Sequence, residues 1–325
     1  MSLPGTLKPP AELGAGRRFF LLGYLPTYAA LMFLLVLVWA GARAWAAPAG
    51  AGLSFKAAWE TTAGLGAGEL MALLIGVTLL GVVLNPLQLP LVRAFEGSWP
   101  RRLGGGMALR RQGARKRALE SAAQLPQGTE ALLTSETVQR AGQAGQELRR
   151  RFPLPDRLLR PTALGNALAA VADSAGRAYG LDAVAAWPRL YPVLGAEVRA
   201  LVDDRRDGLD GAVRIAAVMT ATAAAAGVLL LRTGWWLLLA LLPLVIASAA
   251  YRGAVQAALG YGETVQVAFD LHRADLLKAL RLAPPARQSD EHALCSELSD
   301  FWRQGIPLDP ARTYAVDGGS NGGNP

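Results

Sequence analysis

Seven residues whose types could bind something or move a proton fall within one stretch: Arg160, Asn166, Arg177, Tyr179, Asp182, Trp187 and Arg189. A carboxylate among guanidinium groups, with an amide, a phenol and an indole close in sequence, can line a pocket for a small ligand or a partner. The same set can instead form a buried polar cluster in which Asp182 pairs with Arg177 or Arg189, since a buried charge needs a partner whether or not it acts. Fixing the local fold, or anchoring it at lipid headgroups, is the first reading. A ligand, partner or enzyme site within 160–190 is the second.

Elsewhere the chemistry thins out. The chain has two histidines, His272 and His292, and one cysteine, Cys295, so no intrachain disulfide forms and any Ser-His or Cys-His system must use that pair. His292 and Cys295 share a helical face at a spacing of three, but two ligands do not make a metal site. Gly64-Leu65-Gly66-Ala67-Gly68 has the glycines of a nucleotide loop but precedes an apolar run instead of joining a strand to a helix. No G-x-x-x-x-G-K-S/T, H-E-x-x-H or EF-hand pattern occurs. Asn85 and Gln88 are polar groups at expected membrane depth beside Pro86, where a conduction pathway is one use. Bonding to backbone freed by proline, or to a neighbouring helix, is the preferred one. No catalytic, cofactor-binding or metal-binding residue is therefore assigned, and an enzyme is disfavoured.

The elements that must carry these residues are largely apolar. Of 325 residues 52% are hydrophobic and 18% charged, with a mean hydropathy of +0.26, and the excess is concentrated in four windows at 19–42, 70–92, 212–231 and 235–251. A helix as long as the first window reaches across a hydrocarbon layer of about 30 Å at ~1.5 Å per residue, whereas the fourth is short and interrupted by Pro243. The expected fold is all-α: a polytopic membrane protein with four transmembrane helices in two hairpins, a helical cytoplasmic insert and an amphipathic C-terminal helix. By segment, 1–16 is a flexible tail and 17–92 the first hairpin, kinked near Asn85-Pro86. The insert is 93–211, with helices near 107–122, 129–150, 163–178 and from 194 onward, Thr162 as an N-cap and Gly180 as a stop. The second hairpin is 212–251, turning at Arg232-Thr233-Gly234; amphipathic helices occupy 252–310, and 311–325 is disordered.

Charge sets the sidedness. The net charge is +8, and Arg17, Arg18, Arg252 and the run from Arg93 through Arg101, Arg102, Arg110, Arg111, Arg115 and Lys116 to Arg117 lie on one side of the spans. The opposite connections hold only Arg43, Lys56 and Arg232. Cytoplasmic loops carry the excess of Lys and Arg, so both termini and the insert are expected in the cytoplasm of a multi-pass plasma-membrane protein. The stretch from Arg93 to Arg117 should meet anionic headgroups at about 1 kcal/mol per basic residue. Nucleic acid is not an expected partner, because no aromatic residue lies between Trp99 and Phe152 to stack on bases. Ala216, Thr220 and Ala224 form a small-residue face on the third span, suited to packing on the fourth or on a second copy.

The stretches Pro161-Thr162-Ala163-Leu164-Gly165-Asn166, Arg177-Ala178-Tyr179-Gly180-Leu181-Asp182-Ala183 and Trp187-Pro188-Arg189-Leu190 form a distinctive block. With Tyr261-Gly262-Glu263 and the Ala268–Arg273 stretch, the block resembles a group of uncharacterised bacterial four-span membrane proteins with a cytoplasmic insert. The resemblance implies a topology and no activity. The expected function is that of a non-enzymatic scaffold or interaction protein acting through its insert. The alternatives are a small transporter or channel subunit, or a membrane enzyme with its site in 160–190.

Overall fold

The computed structural model describes residues 25–46, 52–84, 88–98, 104–125, 134–283 and 285–310. The expected tails at 1–16 and 311–325 lie outside these residues, as do Arg17, Arg18, Asn85, Trp99, Arg101 and Arg102. Gln88 opens a helix, but its side chain also lies outside the described set.

Among the described residues the chain is helical and forms no strand. The helices are α1 (Leu25–Trp39), α2 (Phe55–Ala63), α3 (Ala67–Leu84), α4 (Gln88–Phe95), α5 (Gly106–Ala123), α6 (Ser135–Arg151), α7 (Ala163–Ser174), α8 (Ala183–Leu190), α9 (Ala196–Leu229), α10 (Leu241–Ala279) and α11 (Gln288–Gln304). Two compact units result. One comprises the described residues up to Phe95 with 208–254, and the other comprises 96–207 with those from Val255 onward.

Three helical stretches are long and apolar enough to cross a membrane: Leu25–Ala46, Ala196–Leu229 and Gly234–Ala279. A fourth exists only if α2 and α3 count as one span, and these are bent by 113° with respect to each other. Gly64, Leu65 and Gly66 separate the two, and Ser54 caps α2 by accepting from the Ala57 N–H at 3.2 Å.

In the first unit, Leu37 of α1 and Ala40 just after it, Leu53, Ala58 of α2, Ala226 of α9 and Leu230 just after that helix form one buried cluster. Ala30, Val218, Met219 and Ala247 form another. The connection after α1 meets the one after α9: Arg232 Nη1 donates to the Trp45 carbonyl at 3.2 Å, and the Phe55 ring meets Trp236 edge-on at 5.5 Å. Trp45, Trp59 and Trp235 at this end remain 71%, 74% and 68% exposed.

The span expected to end at Tyr251 and the amphipathic helix expected after it form one continuous element. A 3₁₀ stretch, Gly234–Ala240, leads into α10, which runs unbroken through Ala279. Pro243 sits in its first turn, where the missing N–H has no intrahelical partner to lose.

The second unit is built on α10's later half. Phe269, Leu276 and Leu277 share a core with Ala186 and Leu190 of α8, Val202 of α9, and Leu294, Cys295 and Leu298 of α11. The α5 and α6 helices pack side by side. Lys116 of α5 is buried, donating to the Leu154 carbonyl at 2.6 Å and pairing with Asp156 at 2.5 Å, which gives an interior ammonium the partner it needs.

Two glycines of the distinctive block mark close approaches. A Cβ on Gly165 would overlap the Glu96 carbonyl, and one on Gly262 would overlap the Val171 side chain. Gly262→Ala is therefore expected to cost about 1–3 kcal/mol through overpacking, seen as a lower melting temperature of the detergent-solubilised chain. Gly253→Ala, which meets open space, should leave the melting temperature unchanged or raise it.

Candidate functional site

The second unit holds a cleft of about 610 Å³ lined by parts of α7, α8 and α11 and by the segment before α7. Its lining includes Arg157, Arg160, Asp173, Arg177, Asp182 and, from α11, His292, Ser296, Ser299, Asp300 and Arg303. The segment ahead of α7 is shaped by its own sequence. Pro161 restricts Arg160 to extended backbone, and Thr162 then caps α7 by accepting from the Gly165 N–H at 3.0 Å.

Asn166, fully buried, secures that segment from within. Its Oδ1 accepts the Arg160 N–H at 2.7 Å and its Nδ2 donates to the Arg160 carbonyl at 2.9 Å, so one amide satisfies both backbone groups of one residue. The consequence is a fixed Arg160 with its side chain exposed at the cleft.

The next wall depends on two left-handed glycines. Gly176 at φ 78° and Gly180 at φ 79° bracket the 3₁₀ turn Arg177–Tyr179, a conformation that favours residues without a Cβ. Gly180 also abuts α11, where a Cβ would overlap the His292 carbonyl.

Asp182 follows, and its partner is neither Arg177 nor Arg189. Its Oδ1 caps α8 by accepting from the Ala185 N–H at 2.9 Å, while Oδ2 pairs with Arg303 Nη1 at 2.8 Å. The Asp182 N–H donates to Ser299 Oγ at 2.9 Å. Arg177 pairs with Asp173, one turn earlier on α7. The expected pairing within the block thus gives way to one with α11, because that helix packs on the block and brings Arg303 to the capping carboxylate.

Of the seven residues singled out by sequence, the cleft gathers Arg160, Arg177 and Asp182, with Asn166 fixing Arg160 from the interior. The other three lie elsewhere. Tyr179 donates to Asp270 Oδ1 at 2.8 Å and lies under the Arg273 guanidinium, 4.1 Å from the ring centre. That hydrogen bond to a carboxylate, followed by burial, raises the Tyr179 phenol above its ordinary pKa of 10.0. Arg273 in turn bonds Glu291 at 2.7 Å, so the network ties α10 to α11. Trp187 packs against Tyr191 and Phe269, and Arg189 lies over the Trp302 ring at 4.6 Å.

Sequence reasoning missed Arg157, Asp173, Ser296, Ser299, Asp300 and Arg303. A signal existed for the α11 residues. His292, Ser296, Ser299 and Arg303 recur at helical spacing beside the buried Leu294, Cys295 and Leu298, with Ser299 itself buried, so a polar stripe adjoins an apolar one.

No family model matches this chain, and no curated protein or solved structure does either. What the cleft can do is therefore read from its own groups. His292 and Ser296 stand one turn apart without a hydrogen bond between them, so the described residues assemble no base-activated nucleophile there. Among the described residues no three of His, Cys, Asp and Glu converge as metal ligands would. The arrangement holds side chains in place and offers hydrogen-bond donors; it is suited to binding.

Cys295, on the buried stripe of α11, has its thiol pushed up to about 11, first by burial and then by the Glu291 charge. Since the thiolate is the reactive form, native chain at pH 8 should resist iodoacetamide for hours and react within minutes once denatured. Rapid labelling of the native chain would contradict the packing of α11 described here.

Proposed function

We propose that the chain is a multi-pass plasma-membrane protein with four spans in two hairpins, both termini and the second unit on the cytoplasmic side, and that it is a non-enzymatic interaction protein acting through that unit. The membrane reading rests on one observation. In the apolar windows of its three spanning-length stretches only 28%, 39% and 11% of residues are buried within the protein, which leaves broad aliphatic surfaces for lipid to cover.

The steep bend between α2 and α3 supports reading α2 as an interfacial helix and α3 as the second span. The exposed Trp45, Trp59 and Trp235 gather where the two hairpin connections meet, as amphipathic rings do at headgroup depth. On the other face of the membrane, α5 exposes Arg110, Arg111, Arg115 and Arg117, which meet anionic headgroups. Resemblance to the bacterial four-span group agrees with this layout.

The interaction reading is supported by how the block is used. Asn166, Asp182, Tyr179, Trp187 and Arg189 are each engaged in a cap, clamp, ion pair or ring contact within the unit, and the exposed cleft is left to recognise something. Isolation of the chain from native membrane is expected to bring a stoichiometric partner with it. Recovery of the chain alone, together with solute flux in liposomes, would favour the transporter alternative and defeat this one.

Sidedness has a direct test, helped by a buried and unreactive native thiol. Thr61→Cys and Asp309→Cys each place a thiol at an exposed position. In intact cells a membrane-impermeant maleimide should label the Thr61→Cys chain and label the Asp309→Cys chain only after permeabilisation. The reverse pattern would invert the topology.

A further inference from the structure

We propose that the cleft between α7, α8 and α11 binds a phosphate-bearing ligand, gripped by Arg157 and Arg160. This deepens the reading of the second unit as a binding module and rests on it.

Charge accounting inside the cleft selects the ligand. Asp173 and Asp182 are committed to Arg177 and Arg303, so those four groups form two neutral pairs. Arg157 and Arg160 have no ion-pair partner among the described residues. The carboxylate next to Arg157, that of Asp156, is taken by buried Lys116 at 2.5 Å. Asp300 is the remaining lining carboxylate without a described partner, and two guanidinium groups outweigh it. His292 and Ser296 add further uncommitted hydrogen-bonding groups to the lining. The surplus is of donors and positive charge, which an anion satisfies.

Geometry favours phosphate over a diffuse attraction. Arg160 is held at its backbone by both bonds to Asn166, and Arg157 lies in the 3₁₀ turn Asp156–Leu158 just before it. Two guanidinium forks on a fixed segment suit the bidentate recognition that tetrahedral oxyanions allow. A volume of about 610 Å³ lies within the range of small-molecule sites and exceeds what an inorganic anion fills. Leu158, Leu181 and Val184 in the lining give the organic body of a phosphate ester an apolar surface.

A soluble phosphate monoester and the phosphate of a lipid headgroup share this chemistry, and calorimetry on the full chain in maltoside micelles separates them. The probes are glycerol 3-phosphate and dihexanoyl phosphatidic acid. Saturable binding of at least one is expected, weakened tenfold or more by Arg157→Ala/Arg160→Ala and unaffected by Arg140→Ala, which lies on α6 paired with Glu136. Binding of glycerol 3-phosphate identifies a soluble ester as sufficient; binding of the lipid alone assigns the site to a headgroup. Val184→Trp, which narrows the cleft and leaves the arginines intact, should weaken binding as well and serves if the double variant does not fold. Absence of saturable binding with both probes, or equal binding by the wild type and these variants, would overturn the proposal. Turnover of a bound ester would leave the site standing while defeating the non-enzymatic reading, so the two ideas fail separately.

Discussion

A backbone amide in hydrocarbon finds no water to bond, so a segment that crosses a membrane must satisfy its amides within the protein, and the first unit has helices long and apolar enough to meet that constraint. Helices satisfy their amides internally, so side chains can be apolar on every face, as they are along α3 and the start of α10. Such helices need little burial against each other. Leu70, Met71, Leu74 and Ile75 of α3, like Leu238, Leu242 and Val245 near the start of α10, are exposed in the isolated chain. In water this surface would be intolerable, whereas in a bilayer it is merely solvated. Contacts within the unit pair small residues, Ala30, Ala40, Ala226 and Ala247, with larger ones such as Leu37, Leu230 and Met219, and the small residues permit the close approach that dispersion needs.

The second unit obeys the opposite rule. It hides Phe269, Leu190, Leu276 and Leu298 in one core and satisfies the polar groups that burial traps. Asn166 and Lys116 show the two available solutions. A neutral amide closes two hydrogen bonds on one backbone residue; an interior ammonium takes a carboxylate and a carbonyl. Removing either partner would strand a polar group at a cost of about 1–3 kcal/mol or more. These residues therefore serve the fold, and the cleft depends on them only through the backbone they fix.

Much of this was legible in the sequence, and the failures have a common cause. The helical character and the Thr162 cap followed from local residue chemistry, and local chemistry is what sequence displays. The helix expected over 163–178 ended at Ser174 because Gly176 adopts the left-handed conformation, a second stop beside the one anticipated. The long α10 was read as two elements because its pattern changes from apolar all round to apolar on one face, and a change of pattern is not a breaker. Asp182 was assigned a neighbour in the chain, but its partner Arg303 arrives from another helix. Only the packing of α11 on Gly180 could reveal that, and the Gly180 contact leaves no trace in spacing.

The two kinds of fastening around the cleft respond differently to the medium. Asn166 holds the Arg160 backbone with uncharged, buried bonds, to which dissolved ions are irrelevant. The Arg303–Asp182 pair is bridged nearer solvent, with the guanidinium side chain 58% exposed, and the Debye length shortens from about 10 Å to about 3 Å between 0.1 M and 1 M ionic strength. A rise in salt concentration would thus weaken the electrostatic pairing at the rim while the backbone frame stays still. The fold separates a surface tuned by ionic strength from a scaffold indifferent to it.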